Sequence, residues 1–209
     1  MAAQRYEIWR QEIEDKFAKK SLVEDSIKTY ISPSGKFSLE VSVYSSGPCT
    51  WNYSRGIVRR VSDRHIIADV KRNYVSFWHA WVPHQNGNEY LLCGEDYQGY
   101  NIIELTSGRN QLHFPEEAFD GQGFCWAGAD VSPDGLTLAV IGCYWAGPDE
   151  LVFFDFTDPA SIPLKELARI RDFDGPEGWK TNDSFAYTQS EESGRQPATW
   201  ERKHVTREH

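Results

Sequence analysis

One turn motif, met three times at nearly even spacing, constrains this chain more than any other feature. Ser32-Pro33-Ser34-Gly35 leads into residues 36–44, where Phe37, Leu39, Val41 and Val43 alternate with smaller or polar side chains. Pro83-His84-Gln85-Asn86-Gly87 leads into residues 89–93, and Ser132-Pro133-Asp134-Gly135 leads into residues 136–144. The turn glycines fall at 35, 87 and 135, intervals of 52 and 48 residues. The turn chemistry is specific: Pro sets φ at the second position, Asp or Asn tolerates tight geometry, and Gly supplies a positive φ. Counted from Pro83, the middle copy reads as one residue longer than the other two.

Each unit continues in the same way. Residues 99–105 and 111–114 follow the second turn, residues 150–156 and 167–171 the third, and residues 53–60 and 65–70 the first. The aromatic stretches 77–81 and 124–129 stand ahead of the second and third turns. Four short strands per period of about 50 residues is how propeller blades present themselves in sequence. The turn tetrads Ser132 to Gly135 and Ser32 to Gly35 resemble the Ser-Pro-Asp-Gly turns of bacterial TolB-type and WD40-like propellers. Gly94-Glu95-Asp96-Tyr97-Gln98-Gly99-Tyr100-Asn101 and Leu151-Val152-Phe153-Phe154-Asp155-Phe156 are similar to segments in a group of uncharacterised bacterial proteins, a resemblance that spans residues 27–190 and implies no function.

The fold expected is all-β, a propeller-like stack of about four four-stranded antiparallel blades with one N-terminal helix. Trp179, residues 183–188 and residues 198–205 supply the fourth unit. Closed propellers use about four to eight blades, so four units allow either a closed ring or an open stack; a two-sheet sandwich of the same hairpins is the alternative. The helix spans residues 5–20, with Trp9, Ile13 and Phe17 at every fourth position among charged residues. The division expected is a helical segment at 1–26, the β body at 27–190, and a C-terminal strand or tail at 191–209. The polar stretch 189–197 reads as a loop, and the charged end 201–209 as frayed.

Composition narrows the partners. Asp and Glu number 31 against 22 Lys and Arg, a net charge of −9, and the basic residues are scattered. Nucleic acid and anionic membrane need concentrated positive charge and are not expected partners. No signal-peptide run and no stretch of about 20 apolar residues is present, which points to a cytoplasmic protein. Cys49, Cys93, Cys125 and Cys143 lie far apart without Cys-x-x-Cys spacing, and the six histidines include no His-x-His or His-x-x-x-His, so neither metal nor cofactor is expected. No nucleophile elbow, phosphate loop or dinucleotide fingerprint occurs.

Aromatic residues make up 14% of the chain, and several sit in loops beside carboxylates. The three units place Trp51 and Tyr53, then Glu95, Asp96 and Tyr97, then Trp145 and Asp149, in corresponding hairpins. On a shared ring such loops emerge on one face, where binding sites usually lie. These seven residues form the candidate ligand-binding site, and the reading that follows is a non-catalytic binding or protein-interaction module for a protein or a small polar ligand. A bland reading competes: adjacent carboxylates in a hairpin often only hydrogen-bond their own turn. The other alternative is a small hydrolase or lyase acting on a sugar-like substrate through these loop carboxylates, since a glycosidase needs only two carboxyl groups suitably spaced.

Overall fold

The three repeated turns fold alike, and their hydrogen bonds explain the repeat. In a computed structural model, which describes residues 2–203, the Gly135 N–H donates to the Ser132 carbonyl at 2.8 Å and the Ser132 N–H to the Thr137 carbonyl at 2.9 Å. The Ser132 hydroxyl accepts from the Leu136 and Thr137 amides and donates to Asp134, tying the turn from inside. Ser32 and Gly35 repeat the pattern. In the second copy the equivalent bond runs from the Gly87 N–H to the His84 carbonyl at 3.0 Å, so the turn begins at His84 and is no longer than the others. His84 stands in the serine position, its Nδ1 accepting the Asn86 amide. Gly35, Gly87 and Gly135 have φ of 71°, 85° and 74°, the left-handed region that glycine enters without strain.

Each turn closes a hairpin inside an antiparallel meander. The helix α1 (Ala2–Phe17) is followed by β1 (Ser21–Ile31), β2 (Phe37–Ser45), β3 (Tyr53–Arg60) and β4 (Ile66–Arg72), which form the first sheet in chain order. The second sheet holds β5 (Ala80–Pro83), β6 (Glu89–Cys93), β7 (Tyr100–Glu104) and β8 (Asn110–His113). The third holds β9 (Cys125–Val131), β10 (Thr137–Cys143), β11 (Asp149–Asp155) and β12 (Glu166–Ile170). The fourth, among the described residues, has three strands: β13 (Phe173–Trp179), β14 (Ser184–Glu191) and β15 (Gly194–Glu201). Four separate sheets make a propeller-like stack rather than a two-sheet sandwich.

The middle sheets are apolar on both faces, which is why β6, β7, β10 and β11 read as nearly continuous apolar runs. Leu91, Cys93 and Ile103 of the second sheet pack with Leu39, Val58 and Val70 of the first. Leu92 and Ile102 turn the other way, onto Leu138, Val140 and Val152 of the third. Phe153 and Leu151 then meet Phe185, Trp179 and Trp200 of the fourth, with Phe153 stacked on Trp200 at 3.9 Å between ring centres. Among the described residues no core cluster joins the fourth sheet to the first. The outer face of β2 carries Ser38, Glu40 and the buried Ser42, with Ile57 of β3 opposite Glu40, and the outer face of β14 carries Ser184, Ala186 and Thr188. Among the described residues the sheets thus pack in chain order, first on second, second on third and third on fourth.

Two expectations change. The stretch 189–197 is not a loop: β14 and β15 stay in register from Ser184↔Glu201 to Glu191↔Gly194, so the polar residues form an extended hairpin closed by Glu192 and Ser193. Pro197 is tolerated because β15 is an edge strand. The first strand starts at Ser21, ahead of residue 27 where the strand pattern becomes visible in sequence, because β1 is exposed along nearly its whole length and carries no alternation. Of the expected charged tail, residues 204–209 lie outside the described residues.

Candidate functional site

Because the strands alternate in direction, the β2–β3, β4–β5, β6–β7 and β10–β11 loops all emerge at one end of the stack. The repeated turns occupy the other end. Helix α1 lies across this loop face. Its Ile13 and Phe17 pack with Tyr53, and Phe17 sits 4.5 Å from Tyr44.

Beneath the helix is a buried polar network. Arg72, at the end of β4, is 2% exposed, and its guanidinium donates to the Ser76, Gly94 and Asp96 carbonyls, pinning the β4–β5 and β6–β7 loops together. Burial lowers its pKa to about 10. The Glu95 carboxylate accepts from the Tyr6 hydroxyl at 2.6 Å, from Arg10 at 3.2 Å and from Asn101 at 3.3 Å. Asp96 accepts from the Gln98 amide at 2.8 Å, from the Trp9 indole at 3.2 Å and from the Asn73 side chain. Both carboxylates are buried. Burial raises the Asp96 pKa against the pull of its donors, and burial, with Glu95 beside it, drives the Tyr6 phenol far above its ordinary value.

The aromatic residues do the reverse and line up at the surface. Ring centres run from Trp51 to Tyr74 at 5.5 Å, from Tyr74 to Tyr97 at 6.5 Å and from Tyr97 to Trp145 at 5.6 Å, a strip that crosses the first three sheets. Trp51 and Trp145, at its ends, are 52% and 62% exposed. The Trp51 indole donates to the Asn73 carbonyl at 2.6 Å, which fixes its plane. Beside Trp51 and Tyr97 runs a groove of about 450 Å³ whose other wall includes Lys16, Lys19 and Lys20. Lys20 also sits 4.7 Å over the Tyr53 ring and donates to the Trp51 carbonyl.

The seven residues singled out from sequence therefore separate. Trp51, Tyr97 and Trp145 come together. Tyr53 is buried under α1, where burial raises its phenol pKa. Glu95 and Asp96 face inward, and Asp149 stands exposed at the start of β11 opposite Cys143. Sequence reasoning missed Tyr74, which completes the strip, and Tyr6, Trp9, Arg10 and Arg72, which hold the carboxylates. Tyr74 had a signal: it follows β4, in a loop that must reach the same end as Trp51. Among the described residues no group of three or more His, Cys, Asp and Glu is placed to hold a metal ion, and no helix is long and apolar enough to cross a membrane.

No protein-family model matches the chain. A protein of Acanthamoeba polyphaga mimivirus, described only as uncharacterised, is 39% identical over 133 residues, covering 64% of this chain and 52% of its own length. The chain thus spans about half the length of the curated relative it matches. That relative is viral and lends no support to a bacterial source. Among solved structures, TolB from Acinetobacter baumannii is similar with a TM-score of 0.46 at 12% identity, over 82% of this chain and 39% of that one.

Proposed function

We propose that the chain is a non-catalytic protein-interaction module whose loop face binds a peptide segment of a partner through the strip Trp51, Tyr74, Tyr97 and Trp145. The observation that carries this reading is the strip itself: four rings in sequence, exposed at both ends, beside a groove rimmed by three lysines. Rings held this way offer large contact area at little conformational cost, and aromatic residues dominate interface energetics. The lysines favour acidic residues in the partner, a preference opposite to that expected from the net charge of the chain. The four free cysteines suit a reducing compartment such as the cytoplasm.

Acid-base work on a sugar-like substrate draws no support from the carboxylates. Glu95 and Asp96 are engaged by Tyr6, Arg10 and Trp9, and Asp149 is exposed at the start of β11. A display library of short random peptides, panned against the protein, tests the proposal. Enriched sequences should combine acidic and aromatic or aliphatic residues, and a Trp51→Ala/Trp145→Ala protein with unchanged circular dichroism should not select them. Enrichment that survives both substitutions would contradict the reading.

A further inference from the structure

The opposite end of the molecule, where the repeated turns lie, carries a second cavity of about 830 Å³ between the first and second sheets. That volume is typical of small-molecule sites. Glu89, at the start of β6, lines it and is 9% exposed. One carboxylate oxygen accepts from the Ser34 hydroxyl, while the other is buried with no hydrogen-bond partner. A buried charged oxygen left unmatched costs more than an ordinary lost hydrogen bond, so native structures rarely retain one without a reason.

No neighbour engages it. His84 is committed on both ring nitrogens, accepting from the Asn86 amide at 3.1 Å and meeting the Phe156 carbonyl at 3.0 Å. Asn88 donates to Glu104. The remaining charged lining residues are Lys36 and Arg60. Arg60 is paired with Asp63 in an exposed contact, weak enough to exchange for another anion. Phe37, Pro33 and Pro83 supply apolar wall. The cavity thus offers one buried carboxylate oxygen without a donor, the cation of Lys36, and the cation of Arg60 in an exchangeable exposed pair with Asp63.

We propose that this cavity binds a small zwitterionic amino compound, an α-amino acid or a short peptide, with its ammonium group on Glu89 and its carboxylate toward Arg60 and Lys36. This site is independent of the aromatic strip, which lies at the other end of the strands.

Isothermal titration calorimetry with the L-amino acids one at a time, with putrescine as an amine lacking an acid and propionate as an acid lacking an amine, tests it. At least one amino acid should bind, Glu89→Gln should weaken it by about tenfold or more, and Arg60→Ala with Lys36→Ala should weaken it further. The Glu89→Gln protein keeps an acceptor for Ser34 and should melt at or above the parental temperature, so lost binding is separable from lost fold. Binding unchanged in Glu89→Gln, equal affinity for putrescine, or no heat from any amino acid would overturn the assignment. The last result would mean that water alone occupies the site.

Discussion

Replacing Tyr6 by Phe removes a single oxygen and tests whether the acidic pair is locked under the helix. The ring keeps its packing on Phe114, 5.2 Å away between centres, so the loss is confined to the hydroxyl that donates to Glu95 at 2.6 Å. A hydrogen bond to a charged group contributes about 1.5–3 kcal/mol. Arg10 and Asn101 stay on Glu95 and soften the effect, so about 2 kcal/mol is expected. For a chain of this size that corresponds to a fall in melting temperature of roughly 4–8 °C. The assay is urea denaturation followed by tryptophan fluorescence, in a cycle with Glu95→Gln. Because the charge is gone in that background, Tyr6→Phe should cost less there, with a coupling of about 1 kcal/mol between the two positions. Additive losses, or a Tyr6→Phe protein within about 0.5 kcal/mol of the parent, would refute the argument that α1 holds these carboxylates.

The packing between sheets makes a second prediction: Phe153→Ala, which empties a fully buried ring site between the third and fourth sheets, should cost about 3–5 kcal/mol in chemical denaturation. Gly56→Ala and Gly142→Ala should each cost about 1–3 kcal/mol, because a Cβ would run into the Phe77 ring at the first and the Cys125 carbonyl at the second. Exposed Cys49 should react first with a thiol reagent in the native protein, Cys125 slowly because burial raises its pKa to about 11, and fully buried Cys93 only on unfolding. Burial holds His79 and His113 below their ordinary 6.5, so the stability they contribute is complete above that pH and is lost as pH falls through their lowered values. His113→Gln should therefore flatten the decline in stability between about pH 7 and pH 5 measured by urea titration.

Turn chemistry and doubly apolar strands made most of the architecture readable. Residues 53–60 and 89–93 are strands with those same limits, because turn residues flank both segments: Gly47-Pro48 and Ser62-Asp63 for the first, Gly87 and Gly94 for the second. What escaped were strands without a buried face. β1 and the outer half of the β14–β15 hairpin are polar or exposed on both sides, so they show no period of two, and β13 contains Gly175, Pro176 and Gly178 and owes its place to Phe173 and Trp179 packing on the third sheet. The middle turn was misaligned because Pro83 looks like Pro33, although the turn opens at His84, whose carbonyl accepts the Gly87 N–H. At the loop face, rings were legible as surface candidates. The fate of Glu95 and Asp96 was not, because it depends on Tyr6, Trp9 and Arg10, 85 to 89 residues away, and no local pattern reports a helix folding back so far.

Site-directed photo-crosslinking tests the loop face as the binding surface most directly. A photoreactive residue replaces Trp145 in one protein and Glu40, on the face of the first sheet turned away from the second, in another. Each is irradiated in extract from cells that express the chain naturally. One defined protein should be captured from position 145 and not from position 40, and capture should be competed by unlabelled parent chain but not by the Trp51→Ala/Trp145→Ala form. Equal capture from both positions, or competition by the double variant as strong as by the parent, would contradict the assignment of the strip as the interaction surface.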